Sequence, residues 1–187
     1  VLSVQYPNII GEELLSHPTQ GALNLHQAEL PRYRGSNVFN HVILNARDDD
    51  HWRHGTTLHY MTTEVDAGDI VDRRFVEITE DDTARTLYER TEDASVTLLE
   101  ETLPAIESGA VSEMRTPQSE FGGPRYHYRR EDIEGEKEIP IEDLRDPDEE
   151  LAVYDRIRAF DFPPFEPAYT VLNDKKIDLA ASWSESH

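Results

Sequence analysis

The sequence has no cysteine, which excludes disulfides, thiolate metal ligands and cysteine nucleophiles. It also lacks any apolar run near the roughly 20 residues that a membrane-spanning helix needs. The longest runs, around Val42–Leu44 and Leu98–Leu99, fall far short. An initiator methionine is missing too. The chain opens on Val-Leu-Ser-Val, without the charged-then-apolar pattern of a signal peptide, and reads as a cut through a longer protein. Positive charge is scarce: 18 Lys and Arg, only 3 of them lysine (Lys137, Lys175, Lys176), stand against 39 Asp and Glu, for a formal charge of -21. Such a surface repels phosphate backbones and itself in dilute salt, whereas molar salt shortens the screening length to roughly 3 Å. The expectation is a soluble, cytoplasmic protein with a salt-adapted surface and no membrane partner. An ordinary acidic protein is the alternative to salt adaptation.

What is present is an alternation of short strands and helices, the pattern of an α/β fold, in a chain of 187 residues that suits one domain and a modest appendage. Val1–Val4 reads as a strand and Ile9–Leu15 as a short helix. In the next strand, Gly21–His26, alternation puts Ala22, Asn24 and His26 on one face and Leu23 and Leu25 on the other. The Asn24 and His26 side chains therefore point the same way, roughly 7 Å apart. Ser36 is the expected cap of a helix that buries Val38, Phe39, Val42 and Ile43. Strands at Gly55–Met61 and Ile70–Ile78 flank a polar turn that carries Asp66-Ala67-Gly68-Asp69. A helix spans about Thr83 to Glu107, with Pro104 casting doubt on its last turn. The domain is expected to occupy 1–110. The extension, 111–187, holds an irregular or hairpin segment at Tyr126-His127-Tyr128, a helix capped near Asp148, and a hairpin turning at Asn173-Asp174.

A single histidine at a strand end is more often structural than catalytic. His26 gains weight because Asn24 shares its face and because the strand ends in a Pro/Gly-rich loop, where α/β proteins place ligands. An imidazole, with an ordinary pKa of about 6.5, handles protons at neutral pH, and an amide beside it can donate to a developing oxyanion. Neither Ser nor Cys sits in an activated-nucleophile pattern, so direct transfer between two bound substrates is favoured over a covalent relay. Asp66 alone reads as a turn residue before Gly68, with Asp69 as the rival carboxylate. No metal is expected, since the histidines do not form a ligand-spaced cluster.

Four ordered segments carry a family resemblance: Gly21–His26, Leu30-Pro31-Arg32-Tyr33-Arg34-Gly35, His54–Met61 and Val65–Ile70. Together they resemble the formyltransferases, a family that includes the glycinamide ribonucleotide, methionyl-tRNA and nucleotide-sugar N-formyltransferases. The resemblance covers roughly Val1–Gly109. It implies a Rossmann-like fold, here partial with its N-terminal strands missing, plus a small β-containing C-terminal extension. It implies N10-formyltetrahydrofolate as co-substrate. It also implies that Asn24 binds the formyl oxygen, that His26 polarises the formyl group and helps move protons, and that Asp66 holds the charge state of His26 and relays the amine proton. The pterin would lie against Tyr6, Ile9 and Ile10 in the Gln5–Ile10 loop and against Thr62, Thr63, Glu64 and Val65. Arg32 and Arg34 suit a phosphate or carboxylate on the acceptor, or else anchor their loop. His59 reads as structural or as support for the site.

The extension resembles the tails of nucleotide-sugar N-formyltransferases at Gly122–Arg130 and Ile157–Pro164, so a nucleotide-linked amino sugar is the expected acceptor. In such tails Tyr126, Tyr128, Phe162 and Phe165 would suit a homodimer interface. The acidic surface disfavours nucleic acid without excluding a tRNA acceptor. Methionyl-tRNA or glycinamide ribonucleotide formylation, hydrolysis of the formyl folate, and a non-catalytic folate-binding module stay open.

Overall fold

Leucines at alternate positions and polar groups between them make the Asn24 segment a strand with one face in a core, and the sheet is built outward from it. The computed structural model describes residues 1–6 and 8–181. Pro7, within the expected pterin loop, and 182–187, at the end of the extension, lie outside the described residues. In chain order the elements are β1 (Leu2–Val4), α1 (Glu12–Ser16), β2 (Leu23–His26), β3 (Tyr33–Gly35), α2 (Val38–Ala46), β4 (Arg53–Tyr60), β5 (Ile70–Glu77), α3 (Ala84–Ser108), β6 (Tyr126–Tyr128), α4 (Glu150–Ala159), β7 (Tyr169–Leu172) and β8 (Lys175–Asp178). The chain interleaves two compact units. The first takes Val1–Val38, Arg53–Glu77 and Arg90–Tyr128, and the second Phe39–Trp52, Ile78–Glu89 and Arg129–His187.

The first unit holds a four-stranded sheet in the order β1-β2-β4-β5, with β1 parallel to β2 and the other pairs antiparallel. On one of its faces Leu23, Leu25, Leu58, Tyr60 and Val71 pack with Leu98 of α3 and with Val111. The register between β4 and β5 slips at Leu58/His59, a bulge of the kind that re-aims a side chain next to a site. A second, two-stranded sheet pairs β3 with β6 in parallel, and a side chain added at Gly35 would meet the Tyr128 carbonyl at 2.0 Å. The expected hairpin at Tyr126–Tyr128 is therefore corrected: its partner strand comes from a distant part of the chain.

Two further expectations shift. Asn37 takes a left-handed φ of 54° before α2 starts, so Ser36 does not cap the helix, and its N–H donates instead to the Tyr128 carbonyl at 2.9 Å. Pro104 does not end α3, which runs on to Ser108. Pro104 lies on the exposed side of the helix, where water can serve the carbonyl left without a donor.

In the second unit, α2 buries Val42, Ile43 and Ala46 completely. The α4 helix carries Arg158, fully buried, with its Nε donating to Asp155 at 2.8 Å and its Nη1 to the Thr79 and Asp82 carbonyls at 3.1 and 3.0 Å. Asp155 also accepts from Arg47 Nε at 2.8 Å. Helix α4 starts after Glu149, which makes no side-chain cap bond; the capping aspartate nearby, Asp146, serves the short 3₁₀ turn ahead of it, Pro147–Glu149, by accepting the Asp148 N–H at 3.0 Å. The β7–β8 hairpin turns as expected at Asn173 and Asp174, whose φ angles of 50° and 58° suit a tight primed turn.

Candidate active site

Asn24 and His26 stand on the face of β2 opposite its leucines, since both leucines are only 4% exposed while the polar pair is half-buried. Cross-strand register sets Asn24 opposite His59 and His26 opposite Thr57, so β4 supplies two more polar groups to the same face. Thr57 ties down the loop that follows β2: its hydroxyl donates to the Ala28 carbonyl at 2.7 Å and accepts the Leu30 N–H at 3.2 Å. Thr56 and His54 bond the carbonyls of His26 and Gln27 in the same manner, at 3.3 and 3.1 Å. The chain from His26 to Leu30 is thereby tied to β4.

The carboxylate arrives from the turn between β4 and β5. Asp66 adopts a left-handed φ of 51°, a conformation that Asp tolerates better than most residues. Its Oδ2 accepts the Gly35 N–H at 3.0 Å and lies 3.5 Å from His26 Nε2, while its Oδ1 lies 3.6 Å from His59 Nε2. One carboxylate thus faces two imidazoles, whose ring centroids are 6.3 Å apart. His26 Nε2 is buried and makes no hydrogen bond to a described residue; it faces the Asp66 carboxylate at 3.5 Å.

His59 is the most enclosed group, its side chain 1% exposed. A carbonyl can only accept, so the 2.9 Å contact between His59 Nδ1 and the Tyr60 carbonyl puts the proton on Nδ1. Burial, reinforced by the neighbouring His26, pushes the His59 pKa down to about 4 against the opposing pull of Asp66, so the ring is neutral at neutral pH. Its unprotonated Nε2 then accepts from Asn24 Nδ2 at 3.2 Å. That bond fixes the orientation of the Asn24 amide and leaves its second N–H for a bound oxygen.

The structure therefore brings Asn24, His26 and Asp66 together and adds His59 between them. The other expected residues are more dispersed. Arg34 Nη1 donates to Glu64 at 3.0 Å, which joins an expected acceptor contact to an expected folate contact. Arg32 lays its guanidinium near the rings of Tyr33 and Tyr126, at 5.7 and 5.8 Å. Thr62, Thr63, Glu64 and Val65 are all exposed, Tyr6 and Ile9 are 58% and 84% exposed, and Ile10 is half-buried. Among the described residues no group of three His, Asp or Glu is arranged to hold a metal ion, and no helix is long and apolar enough to cross a membrane.

The site thus gathers an oriented amide, an imidazole and a carboxylate at the polar face of an α/β sheet. Residues 1–103 match the formyl transferase family model, and the chain belongs to that family. A curated relative, the bifunctional polymyxin resistance protein ArnA of Wigglesworthia glossinidia brevipalpis, is 33% identical over 178 residues, which covers 95% of this chain and 25% of the relative. The chain thus spans a quarter of that relative's length. A 4-N formyltransferase from Francisella tularensis shares the fold, with a TM-score of 0.79 at 20% identity over 99% of this chain and 71% of that one. The formyltransferase PseJ of Anoxybacillus kamchatkensis was solved in complex with UDP-4,6-dideoxy-4-formamido-L-AltNAc and tetrahydrofolate. It matches with a TM-score of 0.60 at 30% identity over 72% of this chain and 66% of its own.

Proposed function

We propose that the protein transfers a formyl group from N10-formyltetrahydrofolate to the amine of a nucleotide-linked amino sugar. The observation that carries this reading is the arrangement around Asp66, whose carboxylate faces His26 Nε2 beside an oriented Asn24 amide on one polar face. PseJ, 30% identical, binds tetrahydrofolate and a formamido sugar nucleotide, which supports the same pair of substrates here. In this reading 1–110 performs the transfer, and 111–187 adds a substrate or homodimer segment.

The free N–H of Asn24 donates to the formyl oxygen as negative charge builds on it during addition of the amine to the formyl carbon. His26 exchanges protons at the reacting atoms, and the Asp66 carboxylate offsets the positive charge that His26 gains. The proton shed by the attacking amine passes by way of Asp66 and His26 to the departing folate nitrogen as its bond to the formyl carbon breaks. Neutral His59 keeps the amide aimed and adds no competing positive charge. Arg32 and Arg34, on the loop and strand after β2, are the proposed contacts to acceptor phosphates, with Arg34 exchanging Glu64 for the ligand.

The test is to incubate the full-length protein with N10-formyltetrahydrofolate and a panel of nucleotide-linked amino sugars, following tetrahydrofolate release and product mass. The expected product carries one added formyl group. Folate turnover without acylation would replace this reading with hydrolysis. Substituting His26→Ala or Asp66→Asn should lower turnover by about 10²–10⁴-fold and Asn24→Ala by about 10²–10³-fold. Rates near normal in these variants would overturn the assigned roles.

A further inference from the structure

We infer that Gln118, beyond the catalytic strands and the long helix, is a positioning residue that holds the Asp66 carboxylate in its working place; the inference rests on the role given to Asp66 above. A non-glycine residue in the left-handed region persists where its surroundings hold it there. Asp66 is such a residue, so the groups that hold its turn are the ones that set where its carboxylate points.

Three constraints converge on that turn. Gly68 lies so close to β4 that an added Cβ would meet the Tyr60 carbonyl at 1.8 Å. The Tyr60 N–H donates to the Asp69 carbonyl at 2.8 Å. The third is Gln118, whose side-chain nitrogen donates to the Asp66 carbonyl at 2.7 Å and to the Gly68 carbonyl at 2.8 Å. A primary amide has two N–H groups, and here both are engaged with carbonyls on either side of Ala67, so one side chain spans the turn. Gln118 is 7% exposed, and loss of its donors would leave two carbonyls short of partners in a nearly water-free setting.

Gln118 is itself held. Two residues earlier the backbones of Thr116 and Ile70 exchange hydrogen bonds, both at 2.8 Å, which lays the chain after α3 along the start of β5. Arg125 Nη2 donates to the Gln118 and Phe121 carbonyls at 2.8 and 2.9 Å and closes the short turn. A rigid path therefore runs from 116–125 through one buried amide to the backbone of the proposed catalytic carboxylate. Misplacing a reacting group by about 1 Å can cost about 10²-fold in rate.

The experiment compares Gln118→Met, equal in length but without donors, with Gln118→Glu, each alone and combined with Asp66→Asn, in the full-length protein. Each single Gln118 variant is expected to lower kcat by about 10–100-fold while KM for both substrates stays within about 2-fold. In the Asp66→Asn background the same change should cost less than about 2-fold further, because Gln118 acts through Asp66. An equal loss in both backgrounds, or near-normal kcat in the Gln118 variants while Asp66→Asn is impaired, overturns the positioning role. A normal rate in Asp66→Asn overturns the role of Asp66 itself, and the inference with it. Should neither Gln118 variant fold, Gln118→Asn keeps the amide on a shorter stem and carries the same comparison.

Discussion

His59 and His41 are both almost fully buried, at 1% and 6% exposure, and for each burial is the chief cause that lowers the pKa from 6.5 to about 4. Asp132 opposes the shift at His41, as Asp66 does at His59. Between those pH values the unfolded chain takes up protons that the folded chain refuses. Stability is therefore full above about pH 6.5 and falls as the pH drops toward 4, by about 2 kcal/mol per ring at pH 5. Most carboxylates remain ionised above pH 5, so denaturant titrations at pH 7, 6 and 5 should isolate the effect. A flat profile over that range would refute it. Asn24 and His26 were legible as a pair because β2 buries one face only, and its period of two survives in the sequence. His59 was harder to place, because seven of the eight residues of β4 are buried and alternation carries no signal there. Asp66 came from the family resemblance, since a turn aspartate beside a glycine looks no different from Asp69. Gln118 gave no sign at all, its partners being 50 and 52 residues away in sequence.

Helix α4 shows how an element can depend on one charged pair. Arg158 is fully buried with Asp155 one turn earlier, and Asp155 is shared with Arg47 of the segment that follows α2. Removing one member of a buried ion pair strands the other, at about 3–5 kcal/mol. Asp155→Ala is therefore expected to lower the free energy of unfolding by about that amount in chemical denaturation, and a loss under about 1 kcal/mol would show that the cluster is better solvated than its burial implies. Elements that hydrophobic period and turn chemistry define, such as α3, the β4–β5 pair and the β7–β8 hairpin, lay close to their expected bounds. Those defined by distant partners did not. The parallel pairing of β3 with β6 joins residues some ninety positions apart, and Tyr126-His127-Tyr128 alone could not name its neighbour.

For the whole molecule the governing quantity is the charge of -21. Self-repulsion of that size opposes compaction in dilute buffer and is screened at molar salt. Melting temperature is expected to rise as KCl goes from about 0.1 M to about 2 M, where the screening length shrinks from roughly 10 Å to a few Å. A maximum in dilute buffer would remove salt adaptation as a reading of the composition. The interleaving of the two units has a consequence for synthesis. A chain that emerges from its N-terminus outward completes the first unit only when Tyr128 is released, by which time two of the three stretches of the second unit are already out and lack 129–187. A nascent chain stalled near residue 130 would hold β1, β2, β4 and β5 while the second unit still lacked 129–187.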